Sequence, residues 1–122
     1  MSQLFDAGLD IVMDSGLPDI LYTGLSTTPP NANGTNVTEP VGGGYARQST
    51  PMDPATGGVR DNTNTVQFAP SGGDWDVCTH SVYYDAVTGG NPIGFDQLDS
   101  PRNMVDGSTM DFAAGAIDFT LT

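Results

Sequence analysis

The fold is decided by three consecutive segments: Trp75-Asp-Val-Cys-Thr-His-Ser-Val-Tyr-Tyr84, Asp85-Ala-Val-Thr-Gly-Gly-Asn-Pro92 and Ile93-Gly-Phe-Asp-Gln-Leu98. The first is rich in the β-branched and aromatic residues that favour strands, and the third has a period of two. The Gly-Gly and Asn-Pro pairs between them mark a turn. We therefore predict a β-hairpin with a loop longer than two residues. Because two strands alone are not stable in water, further strands must surround this hairpin.

Short stretches with strand character lie on both sides of the hairpin. The clearest is the closing stretch 116–122, in which Ile117, Phe119 and Leu121 would point inward. Residues 99–103 are predicted as a loop, and Asp106-Gly107 as a turn. Sixteen Gly and nine Pro also favour many short elements. We predict an all-β antiparallel β-sandwich, jelly-roll-like, with about seven or eight strands. The other predicted strands are 19–26, 45–50, 59–60 and 65–68.

Residues 2–14 are the predicted helix of a single domain that spans 1–122. Ser2 could cap this helix, and Gly16 and Pro18 would end it. Its apolar residues recur at helical spacing, which favours a face packed on the sheets. The alternative is an arm that docks on a neighbouring subunit. The residues of this face are Leu4, Phe5, Leu9 and Val12.

The charge of the chain is strongly one-sided. Fourteen Asp and one Glu oppose three Arg, no Lys is present, and the formal net charge is −12. Binding to nucleic acid or to an anionic membrane surface requires cations, so we expect neither partner. Such a chain repels itself at low ionic strength, whereas molar salt shortens the Debye length to about 3 Å. The composition therefore favours a protein that works in brine, with an acidic mesophilic protein as the alternative.

Cys78 and His80 are the residue pair that most suggests chemistry. Residues two apart on a strand are separated by about 7 Å, too far for the hydrogen bond of a Cys/His nucleophile, and a zinc ion would lack further ligands. Asp74 and Asp76 flank Trp75, an arrangement that can hold a sugar ring, but no calcium-loop pattern is present. We predict no enzymatic activity, no catalytic or metal-ligating residue and no cofactor.

The polar stretch 27–44 is long for a loop in a compact domain, and such loops are usually functional or mobile. It contains two glycosylation patterns, at Asn33 and Asn36, which are common by chance in polar loops. Gly42-Gly43-Gly44 lacks the Gly-Lys-Ser/Thr of a phosphate-binding loop and is better suited to a tight reversal or a close backbone approach. Arg47 could pair with a carboxylate of another subunit or lie at the surface.

An ordered series of motifs resembles a family of small virion proteins of tailed viruses, variously described as tail fibre, minor tail or head decoration proteins. The most specific are the strand Gly42-Gly-Gly-Tyr-Ala-Arg47 and the turn Tyr84-Asp-Ala-Val-Thr-Gly-Gly-Asn91. The series also includes Leu21–Pro29, Val66–Phe68, Trp75–His80 and Phe112–Leu121.

The resemblance implies a β-sandwich that works in the virion without catalysis. We expect a capsid decoration or cement protein that binds the major capsid protein or other virion proteins, in a virus of a salt-loving archaeal host. Decoration modules suit closed symmetry, so a homo-oligomer, trimer or pentamer, is expected. The alternatives are a tail or baseplate component, with receptor or glycan binding through Trp75 and the 27–44 loop, and a free-standing hydrolase. The predicted interface residues are Leu4, Phe5, Tyr45, Arg47 and Trp75.

Overall fold

The structure, a computed structural model, describes residues 2–121. It has one short helix and otherwise antiparallel strands, which confirms an all-β fold with one helix. Most strands are only three or four residues long, as the many Gly and Pro residues indicate. The elements are α1 (Asp6–Gly16), β1 (Ile20–Ser26), β2 (Gln48–Pro51), β3 (Val59–Asp61), β4 (Val66–Phe68), β5 (Val77–Tyr84), β6 (Pro92–Asn103), β7 (Met110–Phe112) and β8 (Asp118–Thr120).

The predicted hairpin is β5–β6, and it lies in a four-stranded sheet of order β2-β1-β5-β6. The prediction of a loop at 99–103 is wrong, because β6 continues to Asn103. Val77 and Cys78 at the start of β5 pair with Asn103 and Arg102, beyond the predicted strand end, and a register shift between Cys78 and His80 leaves residues 98–101 outside the pairing. Pro101 is tolerated there because β6 is an edge strand, where a missing N–H need not break a ladder.

The remaining strands form two separate two-stranded sheets, β3–β8 and β4–β7. Within residues 2–121 they do not join into the second four-stranded sheet of a jelly roll, because these three-residue strands are interrupted by turns. All three sheets contribute to one core cluster. Ile117 is fully buried while Asp118 is exposed, as the period of the closing stretch predicted. The assignment of 1–122 to one domain stays a prediction.

The helix begins four residues later than predicted. Phe5 occupies the N-cap position with extended backbone and no side-chain cap, and Asp6 provides the negative charge that favours the first turn. Residues 2–5 are therefore not helical, and Ser2 is not the cap. The helix ends at Gly16 because Leu17 precedes Pro18 and adopts the extended conformation that proline imposes on its predecessor.

The predicted packing face of the helix is wrong for most of its members. Leu4, Phe5 and Val12 are exposed, and in α1 itself only Met13 is buried among the described residues. The helix is instead docked on its other side, through buried Met13 and half-buried Leu9 together with polar groups. Asp10 and Asp14 lie on that side.

Two carboxylates and one arginine hold α1 against the sheets. Asp10 accepts a hydrogen bond from the backbone N–H of Gly58 (2.7 Å), and Asp14 accepts one from Ala55 (2.8 Å). The buried guanidinium of Arg60 donates to the carbonyl of Leu17 (2.6 Å), just beyond the helix end. This contact satisfies a carbonyl at the helix end, where a cation is also stabilising. With the helix held on this side, its apolar stripe faces solvent.

Candidate functional site

The N-terminal apolar face comprises Leu4, Phe5, Ile11 and Val12. Their exposed fractions are 55%, 90%, 67% and 48%. Leu4 lies over Gly8, since a Cβ built there would be 3.4 Å from the Leu4 Cδ2 atom. Leu4 therefore contacts the first turn of the helix, and Ile11 and Val12 are exposed further along it. Of the five predicted interface residues, Leu4 and Phe5 are the two that the structure leaves exposed and together.

Trp75 is buried, with 4% of its surface exposed, and forms part of an aromatic cluster. Its ring meets those of Tyr45 and Phe68 edge-on at centroid distances of 5.2 and 6.3 Å, and Phe68 meets Phe112 at 6.1 Å. The indole Nε1–H donates to the carbonyl of Gly43 (3.0 Å). Since no ring face is free, the prediction that Trp75 holds a sugar ring is contradicted by its burial. The aromatic cluster is Tyr45, Phe68, Trp75 and Phe112.

The glycine triplet allows the backbone to approach Trp75 closely. A Cβ on Gly43 would lie 2.7 Å from the carbonyl oxygen of Gly73 and 2.8 Å from the indole nitrogen. Gly43 also has a positive φ of 56°, which a residue with a side chain rarely adopts. Gly43 therefore provides the close backbone approach that the sequence predicted for the glycine triplet.

Tyr45 connects the aromatic cluster to a charged network. Its hydroxyl accepts a hydrogen bond from the N–H of Leu25 (2.9 Å) and donates to Glu39 (2.7 Å). Burial, with the hydrogen bond to Glu39, raises the pKa of the Tyr45 phenol well above its usual range. The hydroxyl therefore stays protonated and serves as a fixed donor inside the protein.

Arg47 is held by contacts with other residues of its own chain. It donates to both carboxylate oxygens of Glu39 at 3.0 Å, to the carbonyls of Ala86 (2.9 Å) and Gly89 (2.8 Å), and lies 3.4 Å above the ring of Tyr84. The hydrogen bonds with Glu39 raise the pKa of Arg47. Arg47 therefore links Glu39 of the 27–44 loop, through a bidentate ion pair, to the carbonyls of the 85–91 turn. The carboxylate that pairs with Arg47 lies in its own chain.

The 27–44 loop is held by many internal hydrogen bonds. Thr27 N–H donates to Thr38 O (2.9 Å), and the amide of Asn36 donates to the carbonyl of Pro29 (2.8 Å). The side-chain oxygen of Asn33 accepts hydrogen bonds from the Thr35 hydroxyl (2.7 Å) and N–H (3.2 Å). Both asparagines therefore have structural roles in the loop, and glycosylation of either stays an untested hypothesis.

Cys78 and His80 bond to different neighbours. The Cys78 thiol is fully buried and donates to the carbonyl of Asp76 (3.4 Å), while His80 Nδ1 lies 2.8 Å from the hydroxyl of Thr79. Burial raises the pKa of the Cys78 thiol to about 11, so little reactive thiolate forms near neutral pH. In residues 2–121, no group of three or more His, Cys, Asp or Glu side chains could hold a metal ion.

A groove of about 690 Å³ opens beside β6, and sequence reasoning missed it. We call it the edge groove. Its lining includes residues 96–100 and Arg102 of β6, residues 110–113, Ala116 and Asp118. Ser81, Tyr83 and Met110 are its buried lining residues, with 0%, 2% and 3% of their surface exposed. The sequence signal that could have identified β6 as an edge strand is Pro101, because proline cannot donate a hydrogen bond to a ladder.

The edge groove is acidic. Four carboxylates line it against the single guanidinium of Arg102. One of them is paired, because the buried hydroxyl of Tyr83 donates to Asp96 (2.9 Å), while Ser81 lies 2.8 Å from the same hydroxyl. Burial raises the pKa of Tyr83 well above its usual range, so this donor keeps its proton. The carboxylates are those of Asp96, Asp99, Asp111 and Asp118.

No helix among residues 2–121 has the length and apolar character needed to cross a bilayer.

A search of curated proteins found no match. The model of the family described as podophage GP4 fiber I protein gp80 matches residues 9–120, which is nearly the whole chain. A match to a fibre family agrees with the tail alternative of the sequence analysis and gives no support to capsid decoration. The chain belongs to the podophage GP4 fiber I protein gp80 family and is a virion structural protein of a tailed virus.

Proposed function

We propose that this protein is a non-enzymatic subunit of the tail, built into or onto a tail fibre. The observation that carries the proposal is the family match over residues 9–120. The structure is compatible with it, since the Cys78 thiol is buried with a raised pKa and hydrogen-bonded to the backbone. Its partners are then other tail proteins, in place of the major capsid protein expected from the sequence.

Separated heads and tails of purified virions test this proposal. Quantitative mass spectrometry should find the chain with the tails, in a handful of copies per particle, and immunogold labelling should mark the tail. Hundreds of copies in the head fraction would instead establish the decoration function and overturn the proposal. Intact virions and tail-less mutant particles provide the matched samples.

The subunits assemble as a homo-oligomer through the N-terminal apolar face. Copies with a net charge of −12 repel one another over most of their surface, and no Asp is buried in the described chain. Contacts between copies therefore favour uncharged side chains, and Leu4, Phe5, Ile11 and Val12 are exposed apolar side chains near the N-terminus of the described chain. Burial of these side chains at a symmetric interface would remove them from water.

A double substitution, Leu4→Ser with Phe5→Ser, tests this interface. Sedimentation of the full chain should show a fall in oligomer mass, because two of the four exposed apolar side chains of the face are removed. Val41→Ser is the matched control, since Val41 is 93% exposed but lies in the 27–44 loop. Equal oligomer mass in the double variant and the parent chain would contradict the proposed interface.

The proposed working environment is concentrated salt. All fourteen Asp side chains are exposed or half-buried, so their repulsion is of the kind that salt screens. The melting temperature should therefore rise from 0.1 M to molar NaCl. Equal melting temperatures at the two concentrations would remove the support for a salt-loving host.

A further inference from the structure

We propose that the side chain of Phe5 in one copy inserts into a small pocket of the next copy, between the 27–44 loop and β6. The inference rests on the proposed homo-oligomer and deepens it, because it names the surface that the N-terminal apolar face meets. The pocket, called the loop pocket below, has a volume of about 180 Å³. It is lined by residues 30–34, Val37, Val82 and residues 92–95.

Phe5 is the side chain that projects from the molecule. It is 90% exposed and lies in extended backbone immediately before α1. Its backbone is anchored, because the carbonyl of Phe5 accepts a hydrogen bond from the N–H of Leu9 (3.0 Å) in a helix that Asp10 and Asp14 hold against the sheets. Insertion of an anchored side chain costs less ordering than insertion of a flexible arm.

The loop pocket offers an apolar surface to such a ring. Val82 is a buried lining residue, with 1% of its surface exposed, while Ile93 and Phe95 are 40% and 43% exposed. Among the described residues that line the pocket, none carries a charge, although the chain has fifteen acidic side chains. A ring that enters therefore removes no lining charge from water, a step that would be costly.

The two walls of the loop pocket are held by contacts within the chain. The N–H of Asn31 donates to the carbonyl of Thr35 (2.8 Å), and the N–H of Gly34 donates to the carbonyl of Asn31 (2.9 Å). A Cβ on Gly34 would lie 2.7 Å from the Cγ of Pro92, so the absence of a side chain lets the loop touch the start of β6. The pocket is therefore formed before a partner arrives.

The volume of the loop pocket suits one aromatic ring. An apolar cavity of about 150 Å³ in another protein is large enough to bind benzene, and the loop pocket measures about 180 Å³. It is smaller than the pockets of about 300–1,000 Å³ that enclose drug-sized ligands. Aromatic rings favour edge-on contacts with centroids about 4.5–7 Å apart, and Phe95 supplies a ring for such a contact.

The projecting ring and the pocket belong to different parts of the fold. Contacts with Ala55, Gly58 and Arg60 hold α1, whereas the loop pocket is built from the 27–44 loop and the β5–β6 hairpin. Since Phe5 is 90% exposed, it does not fill the pocket of its own copy. Each copy thus presents one ring and one pocket, and a head-to-tail contact joins it to two neighbours. Such contacts generate a ring of subunits when the rotation closes.

Sedimentation of the full chain in 1 M NaCl, which screens the repulsion between copies, tests the contact. Phe5→Ser, and separately Ile93→Ser with Phe95→Ser, should each weaken self-association at least about tenfold. Val41→Ser and Val87→Ser are the matched controls, because both side chains are exposed and lie outside the pocket lining. Circular dichroism checks that each variant is folded. If the pocket variant keeps the parent mass, the inference is overturned while the N-terminal interface stands.

A mixture of the two variants tests the direction of the contact. Phe5→Ser keeps an intact pocket and the pocket variant keeps Phe5, so the equimolar mixture should regain one contact and form a complex of two copies. A mixture that sediments as unassembled chains would overturn the inference. A monomeric parent chain would overturn the homo-oligomer as well, whereas the tail location is tested separately by the head and tail fractions.

Hydrogen exchange of the parent chain gives a measurement that needs no variant. Amides of residues 30–37 and 92–95 should exchange more slowly in a concentrated, assembled sample than in a dilute one, because an inserted ring covers the pocket. Protection confined to α1 would mean that the N-terminal faces of two copies meet each other, and it would overturn the inference.

Discussion

The aromatic cluster and the edge groove adjoin at Phe112, yet one is closed and the other open. On one side the ring of Phe112 meets Phe68 edge-on, within contacts that bury Trp75. On the other side Phe112 lines the groove of about 690 Å³. The closed region removes apolar surface from water, whereas the open region leaves its four carboxylates exposed, of which Asp96 accepts a hydrogen bond from Tyr83. The two regions of one small fold therefore differ in how much apolar surface they remove from water.

Trp75→Ala should break the closed region and produce the largest effect. A buried Trp truncated to Ala costs about 4 kcal/mol of unfolding free energy. This loss is large compared with the total stability of a small domain, roughly 5–15 kcal/mol. Urea unfolding followed by circular dichroism measures it, because the substitution removes the single Trp fluorophore.

Trp75→Phe is the matched control for this prediction. It keeps an aromatic ring beside Tyr45 and Phe68 but loses the hydrogen bond to Gly43, so it should cost less than half as much. If the unfolding free energy of Trp75→Ala lies within 1 kcal/mol of the parent value, the aromatic cluster does not account for the stability of this region.

Arg47→Met should destabilise the contacts between the 27–44 loop and the 85–91 turn. The substitution keeps much of the packing over Tyr84 but removes four hydrogen bonds, and it leaves the half-buried carboxylate of Glu39 without its cation. We expect a loss of about 2 kcal/mol. Hydrogen exchange should accelerate in both the 27–44 loop and the 85–91 turn.

Arg102→Met provides the comparison for Arg47, because Arg102 is exposed and lies beside the open groove. Its stability change should stay within about 0.5 kcal/mol. Similar losses for the two arginines would mean that surface charge, and not the fixed contacts with Glu39 and the turn, accounts for the effect.

Local patterns predicted much of the fold. The hairpin of residues 75–98, the closing stretch with Ile117 inward, and the close approach at Gly43 followed from period, turn chemistry and steric limits. The helix was found, but its orientation was not. Periodicity identifies an apolar stripe, whereas the direction it faces was decided by Arg60 and two Asp contacts from distant parts of the chain.

The candidate site could be predicted only in part. Leu4 and Phe5 lie together at the surface, but Tyr45, Arg47 and Trp75 are tied into the interior. Their partners lie up to 42 residues away, and nothing in a single sequence gives such pairings. The edge groove was missed for the same reason, since its lining brings together residues from 81 to 118 of the chain.

Acid below about pH 3.9 should weaken the 85–91 turn by a smaller amount. Asp85 accepts hydrogen bonds from the N–H (2.7 Å) and side-chain amide (2.9 Å) of Asn91, which lower the pKa of Asp85. A lowered pKa means that this stabilisation is fully present above the ordinary Asp value of about 3.9 and is lost as the pH falls through the folded-state pKa. Carboxyl chemical shifts measured by NMR titration should place Asp85 below the ordinary value.

Asn91→Ala is the control for this titration. It removes one of the two donors to Asp85 and should move the pKa of the carboxyl upward, toward the ordinary value. The turn keeps its contact between Arg47 and Gly89, so the global unfolding free energy should change little. An unchanged pKa in the variant would mean that the side-chain bond to Asn91 does not hold this carboxylate.

Asp111→Asn tests the open region and should have the smallest effect, with the opposite sign. Asp111 is exposed, and it lines the edge groove together with Asp96, Asp99 and Asp118. Removal of one charge relieves repulsion, so stability at low salt should rise by up to about 0.5 kcal/mol and the gain should vanish in 1 M NaCl. Asp76→Asn, outside the groove lining, should give a smaller gain in urea unfolding. A loss of stability in Asp111→Asn would mean that this carboxylate has a partner within the chain, and that the groove is less open than its geometry indicates.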